Sequence, residues 1–265
     1  MPPTHLHHAH TTALRVDLWL GLAAVGILLA SLLPTASFTA QREDAAETAK
    51  LLALLLDAGR MVVATNQDLI NDPSKGDKGF TPEAFEKQLA DEFRTRTGLS
   101  LTALEQEAIP PMARPLLLRL MEECKKTILY HQPVINIPGV RYKGVIPATF
   151  ATETATRFQT WSGVYLKQVA PPALLRNPKN GPDEYEATAL SRLTAHSDRP
   201  EITTVLTEIV DQGKSVRALL PLYYGKSCLA CHGEPKGERD VSGYPREGAK
   251  EGDLGGAISV KISLK

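Results

Sequence analysis

The sequence predicts an α+β fold, in which an antiparallel sheet with flanking helices follows a helical region and one amino-terminal transmembrane helix. Three observations predict it: an uncharged apolar run near the amino terminus, helical periodicity up to residue 132, and alternating strand patterns after that residue. Of the 265 residues, 43% are hydrophobic and 23% are charged, so the chain can bury a sizeable core. Its 30 basic and 30 acidic side chains cancel, which argues against nucleic acid as a partner.

The apolar run at residues 18–33 reads LWLGLAAVGILLASLL and carries no charge. With the weakly polar residues that follow, the stretch reaches about 20 residues, which is enough to cross a bilayer. Its length also suits a secretory signal, but Phe38 stands where a cleavage site ending at Ala40 needs a small side chain. We therefore predict a signal anchor in residues 13–40, with a cleaved signal peptide as the alternative and a buried core helix as the third possibility. Either signal exports residues 41–265 to the periplasmic side of the bacterial inner membrane.

The first 12 residues form a tail with four histidines, at positions 5, 7, 8 and 10. A metal-binding tract is one interpretation of these histidines. We interpret them instead as part of a plain cytoplasmic tail, because a short histidine run needs a fixed geometry to select a metal.

Residues 41–132 are predicted to form a helical region. Apolar residues recur at helical spacing from residue 41 until an Asn-Asp-Pro-Ser sequence after residue 70 ends the helix. A second helix begins with Thr81 as its N-cap and Pro82 in its first turn, and it ends at Gly98. Prolines separate two further predicted helices, at residues 100–108 and 114–130.

Residues 133–265 are predicted to form the sheet domain. Five segments alternate apolar and polar residues as strands do, and a helix at residues 147–160 lies between the first two. The Asp-Gln-Gly-Lys sequence at residues 211–214 predicts an antiparallel hairpin between the third and fourth strands. The predicted strands are residues 140–145, 163–169, 202–210, 216–224 and 256–264.

The sharpest motif in the chain is Cys228-Leu229-Ala230-Cys231-His232. Two thiols separated by two residues can each form a thioether with one vinyl group of a porphyrin, and the histidine after the second thiol then reaches the iron. Covalent haem attachment takes place outside the bacterial cytoplasm, where the predicted signal sends these residues. The motif therefore predicts one covalent haem c, with His232 as the proximal iron ligand.

Two other kinds of site use the same thiol spacing. A redox dithiol of the thioredoxin type needs a long helix after the motif, but Gly-Glu-Pro-Lys-Gly follows it here. A structural zinc site needs four ligands, and the exported part offers as extra donors Cys124, His131 and His196. Both remain alternatives to haem.

The second axial position of a haem iron has several candidate ligands. We choose His131, at the predicted end of the helical region, although an ordinary loop histidine would look the same in sequence. The other exported donors are Met61, Met112, Met121, Cys124 and His196. Cations for the haem propionates are available at Lys143, Arg157, Lys167, Arg176 and Lys226, and aromatic rings for the porphyrin face at Trp161, Tyr223 and Tyr224.

Three segments in order resemble the bacterial c-type haem domain family with a PAS-like fold: residues 142–148 (YKGVIPA), residues 175–186 (LRNPKNGPDEYE) and residues 228–233 (CLACHG). That family includes a cyanobacterial haem protein and the input regions of some membrane histidine kinases. The resemblance covers residues 42–265, and it implies a PAS-like sheet domain in residues 133–265 and a propionate contact for Arg176. Some members take a cysteine from the helix before the second segment as axial ligand, but residues 148–159 contain no Cys, His or Met.

We therefore expect a membrane-anchored periplasmic protein with one haem c that senses redox state or a small ligand. A mono-haem electron carrier is the first alternative, and a structural haem or zinc-binding subunit is the second. No distal acid or base is recognisable, so we do not expect an enzyme. The expected partners are the membrane, a redox or signalling protein, and a second copy of the chain in a homodimer.

Overall fold

A computed structural model describes the backbone of residues 16–194 and 204–264, and within those ranges the side chains from residue 38 onward. The fold is α+β, with a four-stranded antiparallel sheet and flanking helices, and this part of the prediction is confirmed. The chain divides into a unit of residues 1–43 and a compact unit of residues 44–265. The predicted tail at residues 1–12 lies outside the described residues.

The helices and strands follow one another in mixed order. The helices are α1 (Val16–Thr65), α2 (Gln67–Ile70), α3 (Pro82–Thr97), α4 (Ala113–Ile135), α5 (Pro147–Ser162), α6 (Glu184–Thr194) and α7 (Leu229–His232). The strands are β1 (Tyr165–Val169), β2 (Leu206–Val210), β3 (Ser215–Tyr223) and β4 (Leu254–Ser263). Short 3₁₀ turns occur at Leu101–Gln106, Pro172–Leu174, Pro178–Asn180, Asp211–Gly213 and Lys226–Cys228.

The sheet has the strand order β1-β4-β3-β2, and every neighbouring pair is antiparallel. The β2–β3 hairpin turns at Asp211, Gln212 and Gly213, whose φ angles of 54°, 56° and 89° are all positive. This hairpin confirms the prediction from residues 211–214. The last strand, β4, lies in the middle of the sheet, so the chain ends as a central strand between β1 and β3.

Helices cover both faces of the sheet. One hydrophobic cluster joins α1, α3, α4 and α5 to the face that carries Ala218 of β3 and Val260 of β4. A smaller cluster joins α6 to the other face, which carries Leu219 and Ala257. Because successive strand residues point to opposite faces, β3 is buried on both sides from residue 215 to residue 221. The long loop after β3 therefore starts from a rigid strand.

Most predicted elements are present, with three differences. Residues 140–145 form no strand: Gly139 and Gly144 have φ of 79° and 72°, and the Lys143 amide donates to the Asn71 side chain instead of a neighbouring strand (3.1 Å). Helix α4 continues past residue 130 and through Pro133 to Ile135. Proline lacks the N–H that would bond to the carbonyl of Leu129, which lies on an exposed face where water can replace that bond. Residues 101–106 form a 3₁₀ helix rather than an α-helix.

Within the part of the chain whose side chains are described, no helix has both the length and the apolarity to cross a bilayer. The predicted membrane segment at residues 18–33 lies outside those described side chains.

Candidate functional site

The Cys-x-x-Cys-His motif lies at the end of the sheet where β3 stops and β4 starts. The loop of residues 224–253 connects these two strands, and backbone bonds close its base from Tyr224 N to Asp253 O (2.9 Å) and from Gly252 N to Tyr224 O (2.8 Å). Because β1 is antiparallel to β4, the loop that follows β1 leaves the sheet at the same end. The fold thus brings residue 176 and the motif together.

The motif itself forms two short helical turns, a 3₁₀ turn that ends at Cys228 and the single-turn α7. Cys228 and Cys231 lie three residues apart, so their side chains project from the same side of the turn. Both thiols are free and half-buried. Gly233 ends the turn, and its N–H bonds to the Leu229 carbonyl (2.9 Å). A Cβ at Gly233 would stand 2.6 Å from that carbonyl oxygen, so the position requires glycine.

The His232 ring is held by a carboxylate and an aromatic ring. Its Nδ1 lies 2.9 Å from Glu247 Oε2. The Tyr224 ring stacks on it, with centroids 4.7 Å apart and planes inclined by 25°, and the Tyr224 hydroxyl lies 3.3 Å from Nδ1. Burial lowers the pKa of His232, and the positive charge of Arg176 lowers it further. The ring is therefore neutral at pH 7.

The tautomer of His232 follows from the state of Glu247. Burial raises the pKa of Glu247, but hydrogen bonds from Arg176 and His232 outweigh this effect and leave the pKa below its usual range. An ionised carboxylate only accepts hydrogen bonds, so Nδ1 of His232 carries the proton and donates a hydrogen bond to Glu247. The lone pair of Nε2 is then free to bind a metal ion.

Arg176 links three parts of the site. Its Nε and Nη2 donate to the two carboxylate oxygens of Glu247 (2.8 and 2.9 Å), and its Nη1 donates to Asp240 (2.7 Å). Nη2 also donates to the carbonyl of Cys231 (2.9 Å). The structure thus places Arg176 at the motif and directs its donors to two carboxylates of the protein and to the Cys231 carbonyl. The propionate contact of Arg176 stays a prediction.

Asp240 is the buried centre of the loop after the motif. Its side chain is fully buried and accepts hydrogen bonds from the Ser242 amide and hydroxyl (2.8 and 2.6 Å) and from the Tyr244 amide (3.1 Å). Burial raises the pKa of Asp240, but the bonds from Ser242 and Arg176 outweigh it and lower the pKa to about 2. Asp240 is therefore charged at pH 7 and fixes the loop against Arg176.

Neither Glu247 nor Asp240 was predicted from the sequence. Glu247 is 15 residues from His232 and 71 from Arg176, and Asp240 is 64 from Arg176. No short motif spans such separations. The one available signal was the chemistry of the site, since a ligating histidine normally donates its other ring nitrogen to a carboxylate or carbonyl.

The candidates for the second axial ligand have contacts of their own elsewhere in the fold. His131 Nε2 contacts Glu153 Oε2 on α5 (2.8 Å), and its ring lies edge-on to Tyr130. Cys124 is completely buried in α4, and burial raises the pKa of its thiol. Met112 and Met121 pack against the main core cluster. His196 lies outside the described residues. The role of His131 as a distal ligand stays a prediction.

The remaining predicted cations and aromatic residues mostly have partners of their own. Lys143 donates to the Ile137 carbonyl, Lys167 to the Gly181 carbonyl, and Arg157 to the Thr127 hydroxyl. The Trp161 ring packs under the guanidinium of Arg119, 4.6 Å from its centroid. Among the described side chains, those of residues 38–194 and 204–264, no three from His, Cys, Asp or Glu are grouped as a metal site.

A cavity of about 440 Å³ lies between α5 and β1. Its lining is mixed: polar side chains such as Thr152, Gln159 and Lys167 alternate with the apolar side chains of Ala155 and Leu166. Asn180 also lines it and accepts a hydrogen bond from Thr152 (2.9 Å). None of the motif residues lines this cavity.

Comparison with known proteins places the chain in a family. The family model described as Tll0287-like matches residues 39–263. A solved structure, titled as the crystal structure of the cyanobacterial heme-protein Tll0287, is 22% identical and has a TM-score of 0.37, with 44% of this chain and 72% of that chain covered. No curated protein matches. The family match spans most of the chain and confirms the resemblance seen in the sequence, so the chain belongs to the Tll0287-like family.

Proposed function

We propose that the chain binds one haem c, attached through Cys228 and Cys231 and ligated by His232. The observation that carries the proposal is the arrangement of His232, whose Nδ1 is held by Glu247 and whose ring follows directly on a turn with two thiols that form no disulfide. Covalent haem attachment uses two reduced thiols at this spacing, and ligation of the iron uses the lone pair of a neutral imidazole. The chain belongs to the Tll0287-like family, and the protein Tll0287 is described as a heme-protein, so family membership supports the same cofactor here.

A bound haem supplies a one-electron redox centre and an iron that can bind a small ligand. The chain's own residues hold the attachment turn in place. Gly233 ends the turn, and the His232 carbonyl accepts a hydrogen bond from Ala249 N (2.8 Å), which ties the motif to the far side of its loop. The Tyr224 ring limits the access of water to one face of the imidazole.

We assign the haem a sensing role, for redox state or a small ligand, in a PAS-like domain. Four of the candidate second ligands are engaged elsewhere: Met112, Met121 and Cys124 in the core, and His131 with Glu153. These contacts favour an iron with an open sixth position, and ligation by His131 is the alternative. The apolar run at residues 18–33 supports a membrane anchor with the domain in the periplasm, and retention in the membrane fraction after alkaline extraction tests it. The response then passes to a partner protein.

Electron transfer is the second candidate function. Residues 234–239, directly after the motif, are all exposed, as are Lys226, Ser227 and Ala230 before and within it. A haem held by these residues would be open to a redox partner on this side. This observation favours a carrier over a sensor with a buried haem.

Haem attachment is tested by export from cells that mature c-type cytochromes. We expect the wild-type chain to keep its haem stain on a denaturing gel, and the Cys228→Ser, Cys231→Ser double variant to lose it. Cys124→Ala is the matched control, because this third thiol is buried away from the motif, and the variant should keep the stain. A wild-type chain without stain, or a stained double variant, contradicts the proposal.

Carbon monoxide separates the two roles. A ferrous iron with an open position binds carbon monoxide and shifts its Soret band, and this is the result that a ligand sensor predicts. A low-spin six-coordinate spectrum that carbon monoxide leaves unchanged contradicts ligand sensing and favours electron transfer.

A further inference from the structure

Three segments that are distant in the sequence meet in one chain of hydrogen bonds. His232 of α7 donates to Glu247, which precedes β4, and Glu247 accepts two bonds from Arg176, which follows β1. The two Arg176–Glu247 bonds are parallel, so the carboxylate can neither rotate nor tilt without breaking one of them. Glu247 therefore presents one fixed oxygen to the imidazole.

The cluster is well shielded from water. The side chain of Asp240 is 0% exposed, that of Glu247 15%, that of Arg176 20% and that of His232 26%. One guanidinium faces two carboxylates beside the imidazole of His232, so the three side chains together carry one net negative charge. At this exposure the charge is screened much less than on an open surface.

A carboxylate that accepts from Nδ1–H makes the imidazole a stronger electron donor through Nε2. A stronger donor and a nearby negative charge both stabilise the oxidised state of a ligated iron relative to the reduced state. The same bond fixes the ring plane, which the stacked Tyr224 also restricts.

We propose that Glu247 is the positioning residue of the His232 imidazole and lowers the reduction potential of the iron, and that Arg176 acts through Glu247 by holding its carboxylate. This inference rests on the proposed haem attachment. It gives Arg176 a role in holding the proximal side of the site.

The midpoint potential of the exported holoprotein tests the role of Glu247. We expect Glu247→Ala to favour the reduced state at least tenfold, which is about 59 mV upward for one electron. Glu247→Gln keeps one acceptor oxygen and should give a smaller shift in the same direction. Glu251→Gln is the control for charge alone, because this carboxylate lies on the same loop, is exposed, and should leave the potential unchanged.

The role of Arg176 is tested by a double-variant cycle. In an Arg176→Gln background the carboxylate is no longer held, so Glu247→Ala should shift the potential by clearly less than it does in the wild-type chain. If the potential shifts of the two single variants add up to that of the double variant, Arg176 does not act through Glu247.

The outcomes distinguish this inference from the proposed function. If the wild-type chain carries no covalent haem, the proposed function fails. If haem attaches normally but Glu247→Ala keeps the wild-type potential, the positioning inference fails. Should Glu247→Ala not fold, nitrogen NMR of the haem-free full chain gives a second test, since Glu247 requires the Nδ1–H tautomer of His232. An Nε2–H tautomer would overturn the inference.

Discussion

At the scale of single residues, sequence spacing reveals some residues of the site and not others. Cys228, Cys231 and His232 were predictable because covalent haem attachment fixes their spacing within five residues. Glu247 was not, because its contact with His232 exists only after a loop of 15 residues has closed. The same holds for Gly255, whose missing Cβ leaves room for the ring of Tyr224.

Gly255→Ala tests how tightly Tyr224 is seated. An added Cβ would stand 2.7 Å from Tyr224 Cε1, and the backbone of central strand β4 cannot move to relieve the contact. We expect urea unfolding to give a free energy of unfolding that is lower by about 1–3 kcal/mol. Gly225→Ala is the control, since nothing lies within 4 Å of its added Cβ, and it should change stability by less than about 0.5 kcal/mol. Equal effects of the two substitutions would contradict the close packing of the Tyr224 ring against Gly255.

Asp240 makes stability depend on acid pH. Its pKa is about 2 in the folded chain against an ordinary 3.8, so the folded state favours the charged form. This contribution is fully present above about pH 4 and is lost as the pH falls towards 2. Asp240→Asn should therefore be less stable at pH 7 and lose less stability between pH 5 and pH 2 than the wild-type chain. Urea midpoints across that range measure it, and parallel curves would show that Asp240 does not contribute.

At the scale of elements, the sequence showed where helices and strands lie better than it showed which of their faces are buried. The Thr81 cap, Pro82 and the left-handed Gly98 (φ 75°) bound α3 where the sequence placed it. Alternation located three of the four strands closely, but it did not show that β3 is buried on both faces. At residues 140–145 the alternation was wrong, because two glycines with positive φ redirect the backbone before a strand can pair.

Arg217 shows what two-sided burial demands of a charged strand residue. It lies 4% exposed in β3, and donates to Asp183 (2.8 Å), to the fully buried Glu186 (2.9 Å) and to the Ser259 hydroxyl (3.0 Å). Without its guanidinium, the carboxylate of Glu186 in α6 would stay buried without its main positive partner.

Arg217→Met should lower the free energy of unfolding by about 3–5 kcal/mol, because it leaves that buried charge uncompensated. Lys261→Met on the adjacent strand β4 is the matched control. Its partner Asp211 is 48% exposed, so the loss should be about 1 kcal/mol or less. Chemical denaturation measures the free energy of unfolding of both variants. Similar losses of stability would contradict the effect that we attribute to burial of the ion pair.

At the scale of the whole molecule, the sheet is a platform whose one end carries the site. The antiparallel order β1-β4-β3-β2 brings the loop after β1 and the loop between β3 and β4 to that end, so Arg176 meets the motif across 55 residues of sequence. The α+β class followed from the order of sequence patterns. The strand order did not, because nothing in the sequence of β4 marks it as a central strand.

The central claim is that two thioethers attach one haem to this end of the sheet. The most direct test is the intact mass of the denatured chain, purified after export from cells that mature c-type cytochromes. We predict the mass of the polypeptide plus one haem. The mass of the bare polypeptide would contradict the claim.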